Sequence, residues 1–236
     1  MNNPIELLQA EADENDQSYF RLLVNGRIKY VTIDPGLYNV EDMCFGPSLI
    51  SLLPLYQLAN GILDCVQNVW HETSVEYTEL EVGEKLRTGI YEVKCHLFNE
   101  PVVIKFARFD WEIQYLENET TAYQWIEGYE IGPRFLGHLR EDGRVIGFLM
   151  ERIKDARHAG PQDLEACRQV LARLHDLGIH HGDTNRFNFL VRGSMAVLID
   201  FDSARKCDDR DALVREMELL PDSLGDLSRG GGGGLL

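Results

Sequence analysis

Hydrophobic and polar residues alternate along several short stretches of the chain, which is the pattern of strands that bury one face. Residues 19–33, YFRLLVNGRIKYVTI, predict a β-hairpin, because Asn25 and Gly26 suit the positive backbone dihedrals of a tight turn. Residues 1–18 show no comparable alternation and predict a flexible acidic lead. Residues 43–70 predict a helical region that is interrupted by turn residues.

The pattern changes near residue 74, where short β-rich stretches become frequent. Strands are predicted within SVEYTEL, TGIYEVKCHLF, PVVIKFARF, RFLGHL and VIGFLMERI, with a helix over 110–128 between the third and the fourth. Residues 161–178 place apolar side chains at helical spacing, and residues 210–220 predict a shorter amphipathic helix. Between these helices, FLV and MAVLI flank the turn RGS and predict a second hairpin.

Composition limits the class of protein. With 236 residues, of which 44% are hydrophobic and 9% aromatic, the chain can build a substantial core. The formal net charge of −16 argues against nonspecific binding to nucleic acid or to anionic membranes. The apolar stretch 49–70 is broken by Pro54, Asn60, Gly61 and Asp64, so we expect core helices there and no membrane span.

Cysteine usage indicates the compartment. The five cysteines are scattered, odd in number and never arranged as CxxC, which favours free thiols over disulfides or a zinc site. The N-terminal stretch MNNPIELLQAEADEND is acidic and lacks the basic and apolar regions of a signal peptide. We therefore expect the cytosol, with the nucleus as the alternative.

Lys105 ends the β-branched stretch VVIK, where a lysine must either reach solvent or meet an anion. The next helix offers such an anion, because Glu119 interrupts an apolar stripe that includes Leu116 and Tyr123. A buried carboxylate needs a cation, so we expect Lys105 and Glu119 to pair. Two unrelated surface charges are the alternative, and Glu117 is a weaker partner.

Oxygen ligands are concentrated in HHGDTNRFNFLVRGSMAVLIDFDSA, residues 180–204. Asp183 lies in a predicted turn, Asn188 precedes the first strand of the hairpin, and Asp200 follows the second strand. Asn188 and Asp200 should therefore meet at the same end of the hairpin. Hard oxygen ligands at one place suit Mg²⁺, which also takes substrate phosphates.

Neighbouring histidines leave a different metal open. Together with Asp183, the residues His175, His180 and His181 could form the transition-metal site of a hydrolase. Its ligands would have to converge from a helix end and a loop, and no cysteine lies nearby. We regard this as the weaker alternative.

The combination of HxDxxxxN, strand–turn–strand and IDFD, together with VVIK and Glu119, resembles the protein-kinase-like superfamily. HGD…N and IDFD are most similar to its atypical and small-molecule branch, namely aminoglycoside and choline phosphotransferases, lipopolysaccharide-core kinases and RIO-type mini-kinases. The resemblance spans about residues 75–218. It implies an α+β, two-lobed protein-kinase-like fold with a shortened C-terminal lobe.

The implied organisation has four parts. Residues 1–74 would be an extension of unknown role, built from a β-hairpin and helices, which could receive a protein partner. Residues 75–150 would form the N-terminal lobe and residues 151–220 the compact C-terminal lobe. Residues 221–236 would be a disordered glycine-rich tail.

The resemblance also implies roles for individual residues. Lys105, paired with Glu119, would hold the α- and β-phosphates of ATP. Asp183 would orient the acceptor hydroxyl and take its proton, while Asn188 and Asp200 would bind Mg²⁺. ATP and Mg²⁺ are therefore the implied cofactors.

A nucleotide pocket is implied around the stretch FLMERI. Met150 would lie behind the adenine, and the backbone of Glu151 and Ile153 would meet its edge. No GxGxxG precedes Lys105, so Thr88 or the backbone near Gly89 would have to supply the phosphate cover.

We therefore expect an ATP- and Mg²⁺-dependent kinase that transfers a γ-phosphoryl group to a hydroxyl, on a small molecule or at a site presented by a partner. After Asp202 the chain has neither the long segment nor the APE motif with which protein kinases dock peptides. A pseudokinase that serves as a protein-interaction module is the alternative, and the missing glycine-rich loop favours it.

Overall fold

The beginning of the chain forms a small antiparallel sheet that is separate from the main sheet. Its strands are β1 (Ile5–Glu11), β2 (Ser18–Val24) and β3 (Arg27–Ile33), paired in that order. They cover a core of Phe20, Leu22, Ile33, Met43 and Leu49. The computed structural model describes residues 5–44, 46, 49–50 and 64–226.

The first predicted hairpin is confirmed, whereas the predicted flexible lead is wrong. Asn25 and Gly26 connect β2 to β3 with positive φ values of 54° and 76°. In the segment 1–18, however, β1 pairs with β2 along its length. Ile5 and Leu7 pack against the core of this sheet, so β1 is stabilised by a partner strand and not by a strong pattern of its own.

Part of the region between the two sheets is helical, as the sequence predicts for 43–70. Helix α1 covers Val40–Cys44, residues 46, 49 and 50 are also helical, and residues 64–70 contain no helix. Residues 51–63 lie outside the described part of the chain. Val66 is nevertheless buried in the main core, so the segment is anchored without helical structure.

Six strands form the main sheet, namely β4 (Ser74–Glu76), β5 (Glu81–Arg87), β6 (Ile90–Lys94), β7 (Val102–Phe106), β8 (Phe135–Glu141) and β9 (Arg144–Met150). They are ordered β4-β8-β9-β7-β6-β5, and all neighbours are antiparallel except β4 and β8. The hydrophobic pattern does not predict β5, because its side chains are mostly exposed.

Helix α2 (Ile113–Trp125) lies against one face of this sheet and confirms the helix predicted there. A short 3-10 turn over Asp110–Glu112 leads into it. Leu116 and Tyr123 of α2 share a core with Phe148 of β9. The opposite face of the sheet buries a second apolar cluster.

The rest of the chain forms a smaller lobe of two helices and short strands. Its elements are β10 (Arg157–His158), α3 (Leu164–Asp176), β11 (Ile179–His180), β12 (Phe189–Arg192), β13 (Met195–Leu198), β14 (Arg205–Lys206) and α4 (Arg210–Gly225). The predicted helix α3 and the predicted hairpin β12–β13 are both present. α3 buries Val170, Leu171 and Leu174 in the main core.

Helix α4 is longer than predicted. The sequence predicts disorder over 221–236, but α4 continues through Pro221 into this segment. Leu220 and Leu224 are fully buried and lie one helical turn apart, so the apolar stripe of the helix extends past the proline. The remainder of the predicted tail, 227–236, lies outside the described residues.

The fold is the expected α+β, two-lobed protein-kinase-like arrangement with a shortened C-terminal lobe. The chain leaves the main sheet after Met150, at the end of β9. One apolar core joins α2 and β9 to α3 and α4, so the two lobes share buried side chains. Among the residues described, no helix has the length and apolar character needed to cross a bilayer.

Candidate active site

Three charged side chains from three different elements meet between the lobes. Lys105 on β7 places Nζ 2.6 Å from Oε2 of Glu119 on α2, and it also contacts Oδ1 of Asp200 after β13. Glu119 is almost fully buried, whereas Asp200 keeps 30% of its side chain exposed. The pairing of Lys105 with Glu119 that the helix stripe predicts is therefore present.

The charges in this cluster influence one another. Burial raises the pKa of Glu119 to about 7, although Lys105 opposes the rise. Burial alone would lower the pKa of Lys105, but Glu119 and Asp200 raise it above its ordinary value. Burial also opposes ionisation of Asp200, yet Lys105 outweighs it and the pKa of Asp200 is lowered. The lysine and the Asp200 carboxylate are thus held in their charged forms at neutral pH.

The backbone fixes Asp200 as well. Its left-handed conformation, with φ 67° and ψ 63°, costs a non-glycine residue about 1–2 kcal/mol. The following Phe201 N–H donates to Oε1 of Glu119 at 3.3 Å. The buried Phe201 ring lies 5.3 Å from the ring of Tyr123 and 5.2 Å from that of His181. His181 therefore packs beneath the turn that carries Asp200.

Asp183 lies in the loop between β11 and β12, where two asparagines orient it. Asn185 Nδ2 donates to both carboxylate oxygens at 2.9 Å, and Asn188 Nδ2 donates to Oδ2 at 3.0 Å. Asn185 is itself fixed, because its Oδ1 accepts the Phe187 N–H at 2.8 Å. The sequence did not single out Asn185; an asparagine that caps a short helical turn is the signal that could have found it.

Asn188 and Asp200 lie at the same end of the β12–β13 hairpin. The Ile199 N–H donates to the Asn188 carbonyl at 2.9 Å, which brings the two ends together. Asn188 is fully buried, and its Oδ1 has no hydrogen-bond partner among the described residues. A buried oxygen acceptor without a partner fits a hard cation such as Mg²⁺.

The donor set is small. Within the described ranges, no three His, Cys, Asp or Glu side chains gather into a metal-binding group. A cation held by one carboxylate and one amide oxygen would take its other ligands from water and from a substrate. That division of ligands is typical of Mg²⁺ in phosphate-transferring sites and not of a closed structural metal site.

The histidines considered for a transition metal have other partners. Nε2 of His175 lies 2.7 Å from Oε2 of Glu216 on α4, and Nε2 of His180 lies 3.5 Å from Oε1. Nε2 of His181 lies 3.2 Å from the Ile199 carbonyl. Nε2 of His175 and Nε2 of His180 therefore face the Glu216 carboxylate, whereas Nε2 of His181 faces a backbone carbonyl.

Glu216 is a buried carboxylate that the sequence patterns had not singled out. Its Oε1 accepts the Gly182 N–H at 2.7 Å, and its Oε2 accepts the His181 N–H at 3.1 Å. Burial opposes its ionised form, but His175 and these backbone N–H groups lower the pKa of Glu216. Glu216 interrupts the buried stripe of α4, so the same signal that identified the carboxylate of α2 could have found it.

Glu117, the weaker candidate partner for Lys105, has a different task. Its carboxylate accepts the backbone N–H groups of Gln67 at 2.5 Å and of Asn68 at 3.2 Å. It therefore anchors the segment that leads into β4.

A cavity of about 340 Å³ opens beside the charged cluster. Val103 and Leu190 give it apolar walls from both lobes. Asp183, Asn188 and Gly89 do not belong to its wall. Six of the predicted site residues line it, and these are Lys105, Glu119, Met150, Glu151, Ile153 and Asp200.

Two sequence comparisons bear on this arrangement. A sequence model described as the Lipopolysaccharide kinase (Kdo/WaaP) family matches residues 151–224. A probable bifunctional tRNA threonylcarbamoyladenosine biosynthesis protein of Methanothermobacter thermautotrophicus is 32% identical over 87 residues, which cover 35% of this chain and 16% of that protein. The chain is kinase-like. The expected resemblance to the protein-kinase-like superfamily is thereby confirmed.

The family match covers the residues of the site that lie in the C-terminal lobe. It includes the loop with Asp183 and Asn188 and the turn with Asp200, whereas Lys105 and Glu119 precede it. Only the three-dimensional structure joins the two halves. The archaeal relative is matched over 16% of its length, so the substrate in its name is a property of that protein.

The kinase-like cleft has no glycine-rich loop. Thr88 and Gly89 form instead a short turn from β5 to β6, with φ 71° at Gly89. The Gly89 carbonyl accepts the Phe106 N–H at 3.0 Å, and a Cβ on Gly89 would lie 2.9 Å from the Phe106 carbonyl oxygen. The close approach of β7 therefore accounts for this glycine.

Proposed function

We propose that the chain is an ATP- and Mg²⁺-dependent kinase that transfers the γ-phosphoryl group of ATP to a hydroxyl acceptor. One observation carries the proposal: Lys105, paired with Glu119, meets Asp200 at the wall of a cavity between the lobes. Phosphoryl transfer depends on positioning and on charge neutralisation more than on covalent participation by the protein. A fixed cation next to a fixed carboxylate is suited to that task.

The cavity suits a purine nucleotide. Its volume of about 340 Å³ falls within the range of small-molecule sites. Met150 and Val103 would cover the adenine with apolar surface. The Glu151 N–H already donates to the Arg134 carbonyl at 2.9 Å, so the Glu151 carbonyl and the Ile153 N–H would meet the adenine edge.

The metal and the phosphates would lie toward the charged end of the cavity. Asn188 and Asp200 would hold Mg²⁺, and Lys105 would bind the α- and β-phosphates. The partnerless Oδ1 of Asn188 supports this assignment, because a bound cation would satisfy it. When bound, Mg²⁺ would neutralise part of the charge on the phosphate oxygens.

Asp183 would orient the acceptor hydroxyl, since Asn185 and Asn188 hold its carboxylate in one position. The acceptor oxygen forms a bond to the γ-phosphorus, and the bond from that phosphorus to the oxygen bridging to the β-phosphate breaks. ADP leaves with that electron pair, and the hydroxyl proton passes to Asp183. Lys105 remains protonated and stabilises the negative charge that develops on ADP.

The acceptor would be a small molecule or a group presented by a protein partner. The segment from Asp202 to the start of α4 is short and offers no long platform for a peptide. We propose the surface of residues 1–74 as the part of the chain that would meet a protein partner, and the cytosol or the nucleus as the compartment.

Thermal unfolding in the presence of MgATP tests the proposal, because a ligand that binds the folded state raises the unfolding midpoint. We expect MgATP to raise the midpoint of the wild-type protein and to leave that of Asp200→Ala unchanged. If MgATP, MgGTP and the free nucleotides all fail to shift the wild type, the kinase proposal is wrong and the interaction module is favoured.

The acceptor can be sought directly. Wild-type protein would be incubated with fractionated metabolites and ATP that carries a labelled γ-phosphate, with Asp183→Ala as the blank. A labelled product that forms with the wild type alone identifies the acceptor.

A further inference from the structure

Arg87 is a cation in the cavity wall that lacks an acidic partner. Of the arginine and lysine side chains that line the cavity, Lys105 contacts two carboxylates and Arg152 places Nε 2.7 Å from Oε2 of Glu92. Arg87 makes no ion pair with any described residue. Its Nη2 is buried and has no hydrogen-bond partner in that part of the chain.

The position of Arg87 is the second observation. It is the last residue of β5 and directly precedes the Thr88–Gly89 turn, where the sequence would need a glycine-rich loop. Gly89 itself is outside the cavity wall, whereas Arg87 and Ile90 on either side of the turn line it. The turn therefore presents a guanidinium to the cavity and not a row of backbone N–H groups.

Arg87 lines the same cavity as Lys105 and Asp200, which lie at its charged end. His158 also lines this cavity, and burial and then the charge of Arg87 lower the pKa of His158. A triphosphate that enters between these residues would pass within reach of the guanidinium.

A buried guanidinium nitrogen without an acceptor is unfavourable, and an anionic ligand removes that penalty. Phosphate is the anion whose oxygens match the guanidinium fork. A chain with a net charge of −16 repels a triphosphate at long range, so cations inside the cleft must supply the attraction.

We propose that Arg87 binds the phosphate chain of the nucleotide and takes the place of a glycine-rich loop. The inference rests on the proposed kinase function, because it needs a nucleotide in this cavity. Arg87 would bind the phosphates from the end of β5, and Lys105 would bind them from β7. The β5–β6 turn thereby contributes a side chain where backbone amides would otherwise act.

Binding of adenosine, MgADP and MgATP to the full chain, measured by calorimetry, tests this role. We expect Arg87→Gln to weaken MgADP and MgATP about tenfold or more and to leave adenosine unchanged, because adenosine carries no phosphate. Arg87→Lys should lose less, since it keeps the charge but not the fork. Lys85→Gln is the matched control, because it removes an exposed cation on the same strand. This variant should bind all three ligands as the wild type does.

Three outcomes separate the inference from the function on which it rests. If the wild type binds none of the ligands, the kinase proposal fails. If the wild type prefers MgATP to adenosine and Arg87→Gln keeps that preference, only the role of Arg87 is overturned. An equal loss of adenosine and MgATP would make Arg87 a wall of the adenine pocket, which also overturns it. If Arg87→Gln does not fold, Arg87→Lys is the test instead. An MgATP affinity of Arg87→Lys equal to that of the wild type would overturn the proposed contact of the guanidinium with phosphate.

Discussion

Two clusters of buried charges in the described part of the chain are built differently. In the cleft, one lysine faces the two carboxylates Glu119 and Asp200. Between the N-terminal sheet and the main sheet, one carboxylate, Glu141, faces two arginines. Both clusters join elements that are distant in the sequence, and both exclude most solvent from their charged atoms.

The cluster at Glu141 is closed. Its Oε2 accepts the Nε–H of Arg21 at 2.8 Å, and its Oε1 accepts Tyr30 Oη–H at 2.6 Å and Arg144 Nη2–H at 3.0 Å. The Arg21 guanidinium also donates to Gln9 and lies 4.2 Å from the centroid of the Tyr77 ring. Protein groups therefore satisfy these charges, which fixes the small sheet against the large one.

The cleft cluster is open on one side. Lys105, Glu119 and Asp200 form part of a cavity wall that Arg87 also lines, and Arg87 Nη2 is buried without a partner among the described residues. Asn188 Oδ1, at the end of the hairpin that carries Asp200, is likewise buried without a partner there. The contrast shows how a buried charged cluster can be interpreted. A cluster whose hydrogen bonds are complete is structural, whereas one with unmet donors and acceptors beside a cavity is prepared for a ligand.

The largest expected effect lies in the cleft. Asp183→Ala should lower turnover by about 10²–10⁴-fold, the usual contribution of a positioned general base. MgATP affinity should stay close to that of the wild type, because Asp183 is outside the cavity wall. Single-turnover phosphoryl transfer and calorimetry measure the two quantities. Equal ATP consumption by mutant and wild type would remove Asp183 from the mechanism.

The second prediction concerns a substitution that disrupts the closed cluster at Glu141. Glu141→Gln leaves the fully buried Arg21 without its counter-charge, so we expect the free energy of unfolding to fall by about 3–5 kcal/mol. Urea denaturation followed by circular dichroism measures it. Glu81→Gln is the control, because Glu81 pairs with Lys94 at the exposed surface and should have little effect. A loss of equal size in both variants would contradict the distinction.

The third prediction applies the same kind of change to the open cluster. Asp200→Asn removes one of two carboxylates around Lys105, and asparagine tolerates the left-handed backbone of this position. Without ligand, we expect the free energy of unfolding to change by less than about 1 kcal/mol, since Lys105 keeps Glu119. The stabilisation by MgATP should disappear. A variant as unstable as Glu141→Gln would mean that Asp200 is structural.

The last prediction concerns His138, a buried group that forms no ion pair with any described residue. Burial, and then the charges of His71 and Arg140, lower the pKa of His138 from 6.5 to about 4. Between these pH values the unfolded chain binds more protons than the folded protein, so stability should fall as the pH falls from 6.5 toward 4. His138→Gln should flatten the dependence of the unfolding free energy on pH in this window. An unchanged slope would exclude His138 as its source.

Local patterns predicted much of the fold. The Asn25–Gly26 hairpin, helix α2, helix α3 and the β12–β13 hairpin all follow from turn residues and apolar periodicity within a few residues of one another. Strands β1 and β5 escaped prediction because they lie at sheet edges and their side chains remain largely exposed or partly buried. Their partners stabilise them, and a partner is invisible to local periodicity.

The candidate site shows the same limit. Glu119 was detectable because a carboxylate interrupts an apolar helix stripe, and Glu216 carries the same signal. Arg87 carries none, since one arginine in a polar strand resembles any surface residue. Its significance comes from the cavity that it lines and from the buried Nη2, which has no hydrogen-bond partner among the described residues.

The sequence by itself determined which chemical groups are present and the strands, turns and helices on which most of them lie, because those follow from steric and apolar preferences of neighbouring residues. The tertiary structure alone decided which charges meet. Lys105 and Asp200 are 95 residues apart, and Arg21 and Glu141 are 120 apart. Packing of the sheets and helices into shared cores brings each pair together, and it also decides which pair is closed by protein atoms and which is left open to a ligand.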